Sequence, residues 1–240
     1  MDGFWSLTDN GIFQIDGTTV NYSLRQHQTL ATVAGSLIGF STSLVNFSFS
    51  AVYPIVAIYA PDRPVTMLQC VSSGANSWTA QFWSSGGQTQ FEVFVFDRTD
   101  NIGDSSNVGL KVYNEQGQLI ASAAVPMLRP IAFIQGQAGG FSMEWQGSGP
   151  WPRGFVNDYS QAGYAKVAVG CITTGTSVER TGNNDGYMSA SGWTCNGGSV
   201  QMHWTDNVFG SPSGSYPSTY VGYGSNLTFS GLLIDVSNIP

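Results

Sequence analysis

Short apolar runs closed off by Gly, Pro, Asn and Asp recur along the whole 240-residue chain, and this rhythm constrains the fold more than any other feature of the sequence. It is the rhythm of strands and turns, with no room for long helices. The stretch Asn107–Ile134 shows it best. Leu110 and Val112 alternate with Lys111 and Tyr113, the period-two pattern of a half-buried strand. Asn114-Glu115-Gln116-Gly117 supplies a turn, with Asn suited to its first position and Gly to its last, and Gln118–Ala121 is the return strand. Pro126 and Pro130 then bracket Met127-Leu128-Arg129 and exclude a helix or a central strand there. This is a seam at which a chain leaves one sheet and enters another.

The start of the chain echoes that hairpin. Phe4-Trp5-Ser6-Leu7 alternates, Asp9-Asn10-Gly11 turns, and Ile12-Phe13-Gln14-Ile15 returns. Two readings stay open: any two hairpins look alike, or two related hairpins open and close one β domain. Two copies do not make a solenoid or a propeller.

The other runs follow the same rule. In Gln28–Phe40, Leu30, Val33, Ala34, Leu37 and Ile38 fall at helical spacing, but Gly35, Gly39 and the hydroxyl residues weaken a helix, so strands with a turn at Ala34-Gly35 are expected. Tyr53–Ala60 and Val65–Val71 flank the rigid turn Pro61-Asp62-Arg63-Pro64, and Trp78–Trp83 follows a polar loop. Gln90–Phe96 is apolar on both faces, as a central strand of a sandwich would be. Arg98–Val108 reads as a polar loop. Beyond Ile134, strands are expected at Phe141–Trp145, Tyr164–Ile172, Ser199–Trp204, Ser218–Gly222 and Asn226–Val236. The expected fold is all-β, with two β-sandwich (jelly-roll-like) domains over 1–134 and 135–240 and a boundary within Ile131–Gly140.

Composition narrows the function classes. Only 10% of the residues are charged, and Gly, Ser, Thr, Asn and Gln carry the polar surface, which fits binding modules and virus structural proteins better than most cytosolic enzymes. A net charge of −7, with Lys111 and Lys166 the only lysines, argues against a nucleic-acid partner. The N-terminal MDGFWSLTDN lacks the pattern of a signal peptide, and no apolar window is long enough to insert into a membrane. A surface of extracellular character on a chain made in the cytoplasm is the combination expected of a virion component. Cys70 is expected to be buried and unpaired, and Cys171 and Cys195 to be neighbours without an obligatory bond.

Catalytic signals are sparse. A Cys195/His203/Asp206 constellation can be drawn, but no motif brings those groups within hydrogen-bond reach, and His27 lies in a polar stretch. The acidic residues are scattered, and Asn183-Asn184-Asp185-Gly186 reads as a turn rather than a calcium loop. No catalytic residue, metal ligand or cofactor is assigned. The aromatic residues of the second half lie beside Asn, Asp and Ser, and rigid rings with polar neighbours equip sugar-binding and protein-binding surfaces. Trp151, Tyr187, Trp193, Trp204 and Tyr216 are the candidate binding residues, core filling being the alternative for each. Trp151, between Pro150 and Pro152, and the loop Asp206–Tyr216 are the candidate outward contacts.

The segment Gly109–Arg129, GLKVYNEQGQLIASAAVPMLR, resembles the pattern G-L-x-V-x-N-x-x-G-x-L, followed by Ser and a Pro/Leu/Arg element, in small tail-tip or baseplate proteins of long-tailed bacteriophages. Upstream tracts like Pro54-Ile55-Val56-Ala57-Ile58 and Phe91–Asp97 extend the resemblance over about residues 1–134. It implies a virion structural protein whose first half anchors to other phage tail proteins, in a homo-oligomer with three-fold symmetry as one possibility, and whose second half faces a host-surface receptor. It supplies no catalytic residues. Two alternatives of other classes remain: a carbohydrate-degrading depolymerase, which needs a cleft with two carboxylates, and a free carbohydrate-binding module, which needs exposed coplanar aromatics without an acid pair.

Overall fold

The computed structural model describes residues 5–7, 13–16, 20–37, 40–84, 87–104, 109–137, 156–180, 186–208, 226 and 228–239. The first half carries strands β1 (Trp5–Leu7), β2 (Phe13–Asp16), β3 (Tyr22–Ala31), β4 (Val33–Leu37), β5 (Phe40–Ser50), β6 (Ile55–Tyr59), β7 (Val65–Gly74), β8 (Ser77–Ser84) and β9 (Gln90–Arg98). A four-residue helical turn, α1 (Thr99–Ile102), precedes the hairpin β10 (Lys111–Tyr113) and β11 (Leu119–Ser122). The chain continues through β12 (Pro130–Gln137), β13 (Val156–Asp158), β14 (Val167–Thr173), β15 (Thr176–Arg180), β16 (Gly186–Asn196), β17 (Ser199–Val208) and β18 (Thr228–Asp235). The protein is all-β, and α1 is the only helix among the described residues.

Two large antiparallel sheets form the body. One has six strands in the order β12-β18-β14-β6-β9-β3, the other runs β13-β17-β16-β7-β8-β5-β4, and β15 adds to β16. Both sheets draw strands from either side of residue 134. In the first, β14 pairs with β6 through Val169↔Ile58 and Gly170↔Ala57. In the second, β16 meets β7 at Trp193↔Val65. The expected division into domains 1–134 and 135–240 therefore does not separate two sandwiches. The proposed boundary at Ile131–Gly140 falls largely on β12, a strand hydrogen-bonded along its length to β18. The reason is backbone chemistry: β6 and β14 each need a partner on both flanks, and each finds one in the other half of the chain.

The core between the sheets gathers Ile58, Val93 and Val95 from one half and Val169, Trp193, Met202, Phe229 and Leu233 from the other. Strand β9 is apolar on both faces, as expected. Its Phe91, Val93 and Val95 face this core, while Phe94 and Phe96 join Ala57, Ala168, Ile234, Val236 and Ile239 on the opposite face of the six-stranded sheet. Each Val, Ile, Leu, Met or Phe side chain among them, fully removed from water, contributes about 2 kcal/mol.

Several local expectations hold. The described residues of Gln28–Phe40 are strand except Thr32, but the expected turn at Ala34-Gly35 is not found: both lie inside β4, which pairs with β5 from Val33↔Leu44 to Leu37↔Phe40. The Asn114–Gly117 turn closes β10 on β11: Gly117 sits at φ 75°, donates its N–H to the Asn114 carbonyl at 2.9 Å, and the Asn114 Oδ1 accepts from the N–H groups of Gln116 and Gln118. Only a glycine adopts that φ without strain. The β1–β2 and β10–β11 pairs are separate two-stranded antiparallel sheets, and each carries a register shift before the last residue of its first strand. The expected strands Phe141–Trp145 and Ser218–Gly222 lie outside the described residues.

Candidate functional site

Of the five aromatic candidates, Trp193 and Trp204 are the two whose side chains are described. Trp193 on β16 and Trp204 on β17 are 2% and 3% exposed. Trp193 packs edge-on against Phe229 with ring centroids 5.9 Å apart and against Tyr159 at 6.1 Å. These two rings are core fillers, which corrects their assignment as ligand contacts. The physical reason is strand alternation: their polar sequence neighbours Thr194 and His203 belong to the opposite face of the sheet. Tyr187 is placed in β16 opposite Val208. Trp151 and Tyr216 lie outside the described residues, and of the loop Asp206–Tyr216 only Asp206, Asn207 and Val208 are described, as the end of β17.

The same alternation dismantles the Cys195/His203/Asp206 constellation. Cys195 is fully buried, with its thiol 3.8 Å from the Ile58 carbonyl. The His203 Nε2 instead meets the Thr194 hydroxyl at 2.8 Å on the other face, and burial lowers its pKa. All three cysteines are free. Cys195 and Cys171 have thiols pushed up to about 12 by burial, and for Cys171 the nearby Cys195 adds to the shift. Cys70 is partly buried, so its expected full burial is not met.

Charged side chains form ties between strands. On the outer face of the six-stranded sheet, Glu92 receives the His27 Nε2 at 2.6 Å and the Lys166 ammonium at 2.7 Å. His27 stacks on Phe94 at 4.4 Å, and Lys166 lies 5.0 Å over the Tyr59 ring. Asp97, wholly buried, accepts the backbone N–H groups of Val52, Tyr53 and Arg98 at 2.8–3.0 Å. Arg129 pairs with Asp235 at 3.0 Å. These carboxylates are consumed by structural partners, and no group of three or more potential metal ligands occurs among the described residues. A half-open cleft of about 530 Å³ between β6, β7 and β14 is lined by Ile55, Val56, Met67, Cys70, Trp78 and Cys171 among others, with no charged side chain among its described lining residues. It has no acid pair for glycoside cleavage.

The sheet edges are the distinctive surface. Among the described strands, β12 and β3 end the six-stranded sheet, and β13 and β4 end the other. Strand β3 is partly covered, since Leu24 and Tyr22 exchange hydrogen bonds with Pro126 and Leu128. Strands β4 and β12 carry no charged residue, and each exposes a large apolar side chain: Val33 on β4 and Phe133 on β12, both 58% exposed. Native edges are usually blunted by charge, and these two are not. The sequence does not single out β12, because Pro130 excludes a central strand and the Gly/Gln-rich run after Ile134 reads as a turning segment. A proline is equally at home as the first residue of an edge strand, and that is its place here.

No helix of the described residues is long and apolar enough to cross a membrane. Comparisons with known protein families, with curated proteins and with solved structures return no match to the chain.

Proposed function

We propose that the protein is a structural subunit of a bacteriophage tail tip or baseplate, acting by contact with other tail proteins and with its own copies rather than by turnover. The observation that carries the assembly part is the pair of uncharged, apolar-decorated sheet edges, β4 and β12. Such edges are aggregation hazards in a free monomer and are neutralised by permanent burial against other subunits. The tail assignment rests on the resemblance across Gly109–Arg129, a segment that includes the β10–β11 hairpin. Its place would be the virion, assembled in the host cytoplasm, with host-receptor contact assigned to the second half of the chain. Low charge and a net −7 fit a role without nucleic acid. Immunogold electron microscopy of the source particles tests the reading. Label confined to the tail end is the expected result, and intact particles without label, beside abundant free protein, would overturn it.

A further inference from the structure

We propose that β12 is the seam of a homodimer, in which a second copy of the chain lays its own β12 antiparallel along this edge and extends the six-stranded sheet to twelve. The inference rests on the reading of the protein as an assembly subunit and names the partner of one edge.

Strand β12 pairs with β18 from Pro130↔Ile234 to Gln137↔Thr228, with one irregularity confined to its start between Pro130 and Ala132. On the other flank its backbone has no partner among the described residues. Alternate N–H and C=O groups of a strand point to each flank, and another extended strand is the group that satisfies such a row. Eight residues give a straight edge about 26 Å long.

A second copy fits this edge because the strand is compatible with itself. Its sequence, Pro-Ile-Ala-Phe-Ile-Gln-Gly-Gln, has no charge, so no antiparallel register places like charges opposite each other. With the two-fold axis at Phe133, the two exposed rings meet at the centre, Ile131 faces Gln135, and Ala132 faces the buried Ile134. Arg129, next to the first residue of β12, and Asp235, on the neighbouring strand, pair with each other at 3.0 Å. The chain as a whole carries −7, so an edge without acidic residues is where two copies approach with least repulsion. The other edges serve less well. Strand β3 is partly covered and carries Arg25 and His27, β13 is three residues long and includes Asp158, and β4 has five residues against the eight of β12. A single strand seam is at the small end of specific interfaces, roughly 1,000 Å² in total, so a concentration-dependent dimer is expected.

Sedimentation equilibrium of the full chain, with Phe133→Lys and Val33→Lys variants, tests this. The expected result is a monomer–dimer equilibrium whose dissociation constant rises roughly ten-fold or more in Phe133→Lys, and is unchanged in Val33→Lys. Hydrogen exchange of the amides at residues 131–137 should slow as concentration rises. Because Phe133 is exposed, an unchanged melting temperature will show that its variant folds. Association lost in Val33→Lys and kept in Phe133→Lys moves the seam to β4, overturning this inference while leaving the assembly reading in place. A chain monomeric at every concentration overturns the β12 seam, and only its absence from virions as well ends the assembly reading.

Discussion

Glu92 on β9 and Lys166, just ahead of β14, are 74 residues apart in the chain, and the Lys166 ammonium lies 2.7 Å from Oε1 and 2.8 Å from Oε2 of the same carboxylate. This clasp joins the two halves of the sequence across the outer face of one sheet. Burial pushes the Glu92 carboxyl up, but hydrogen bonds from Lys166 and His27 outweigh it, and its pKa is lowered. A carboxyl with a depressed folded pKa contributes stability that is present above its unfolded value, about 4.3, and is lost as pH falls through the folded value. Glu92→Gln should cost about 1–2 kcal/mol at pH 7 and flatten the acid limb of stability against pH. Urea denaturation of both proteins from neutral to acidic pH measures both effects, and an unchanged acid limb would remove the clasp from the account.

The buried Cys195 and the half-buried Cys171 contribute to the alkaline limb. Cys171 and Cys195 have folded pKa values of about 12, against roughly 8.5 in an unfolded chain. A raised value means that the contribution is whole below the unfolded pKa and is lost as pH rises toward the folded one. Stability should therefore decline above about pH 8.5, and Cys195→Ala should decline less. In the native protein at pH 8, alkylation should leave Cys195 untouched, while in denaturant all three cysteines react with or without reductant. A reductant-dependent count would reveal a disulfide and sink the assignment of free thiols.

Gly136 on β12 is a packing requirement of a different kind. A Cβ there would run into the Phe229 ring, within 3.0 Å of its Cε1 and 3.1 Å of its Cε2. Phe229 is wholly buried and held edge-on by Trp193 and Tyr159, so the ring has little space to give way. Gly136→Ala should cost about 2 kcal/mol, readable as a lowered melting temperature. An unchanged melting temperature would mean that the β12–β18 contact adapts without cost.

Asp97 is the most costly polar residue to remove. Its two oxygens accept three backbone N–H groups inside the protein, and Arg25 lies 3.7 Å away. Asp97→Ala would strand those donors away from water, at about 1–3 kcal/mol for each one left unpaired. Asp97→Asn keeps one accepting oxygen and should lose less. Equal losses in the two variants, measured by denaturant unfolding, would show that the accepting oxygen kept by Asn contributes nothing and would overturn the hydrogen-bond account of this position.

Much of the fold was legible along the chain because strands and turns are local. The Pro61–Pro64 turn, the doubly apolar β9 and the Asn114–Gly117 hairpin all follow from residue type and spacing over a few positions. The candidate site was far less legible. Trp193 and Trp204 sit among polar neighbours in sequence, and their burial follows from the face of the sheet that meets the second sheet. Applying the alternation of β16 and β17 to the aromatic residues would have flagged it, since Trp193, Cys195, Val200, Met202 and Trp204 fall on one face.

By itself, then, the sequence determined which segments are extended, where many of them turn, and that charge would be scarce on the surface, because backbone sterics and solvation of short polar side chains act within a few residues. Only the tertiary structure decided that β14 lies against β6, that β12 became a strand of the six-stranded sheet rather than a linker, and that Glu92 meets Lys166. Those outcomes depend on how the remaining backbone donors, charges and apolar faces find partners across 74 residues of chain or more, and no local pattern encodes that choice.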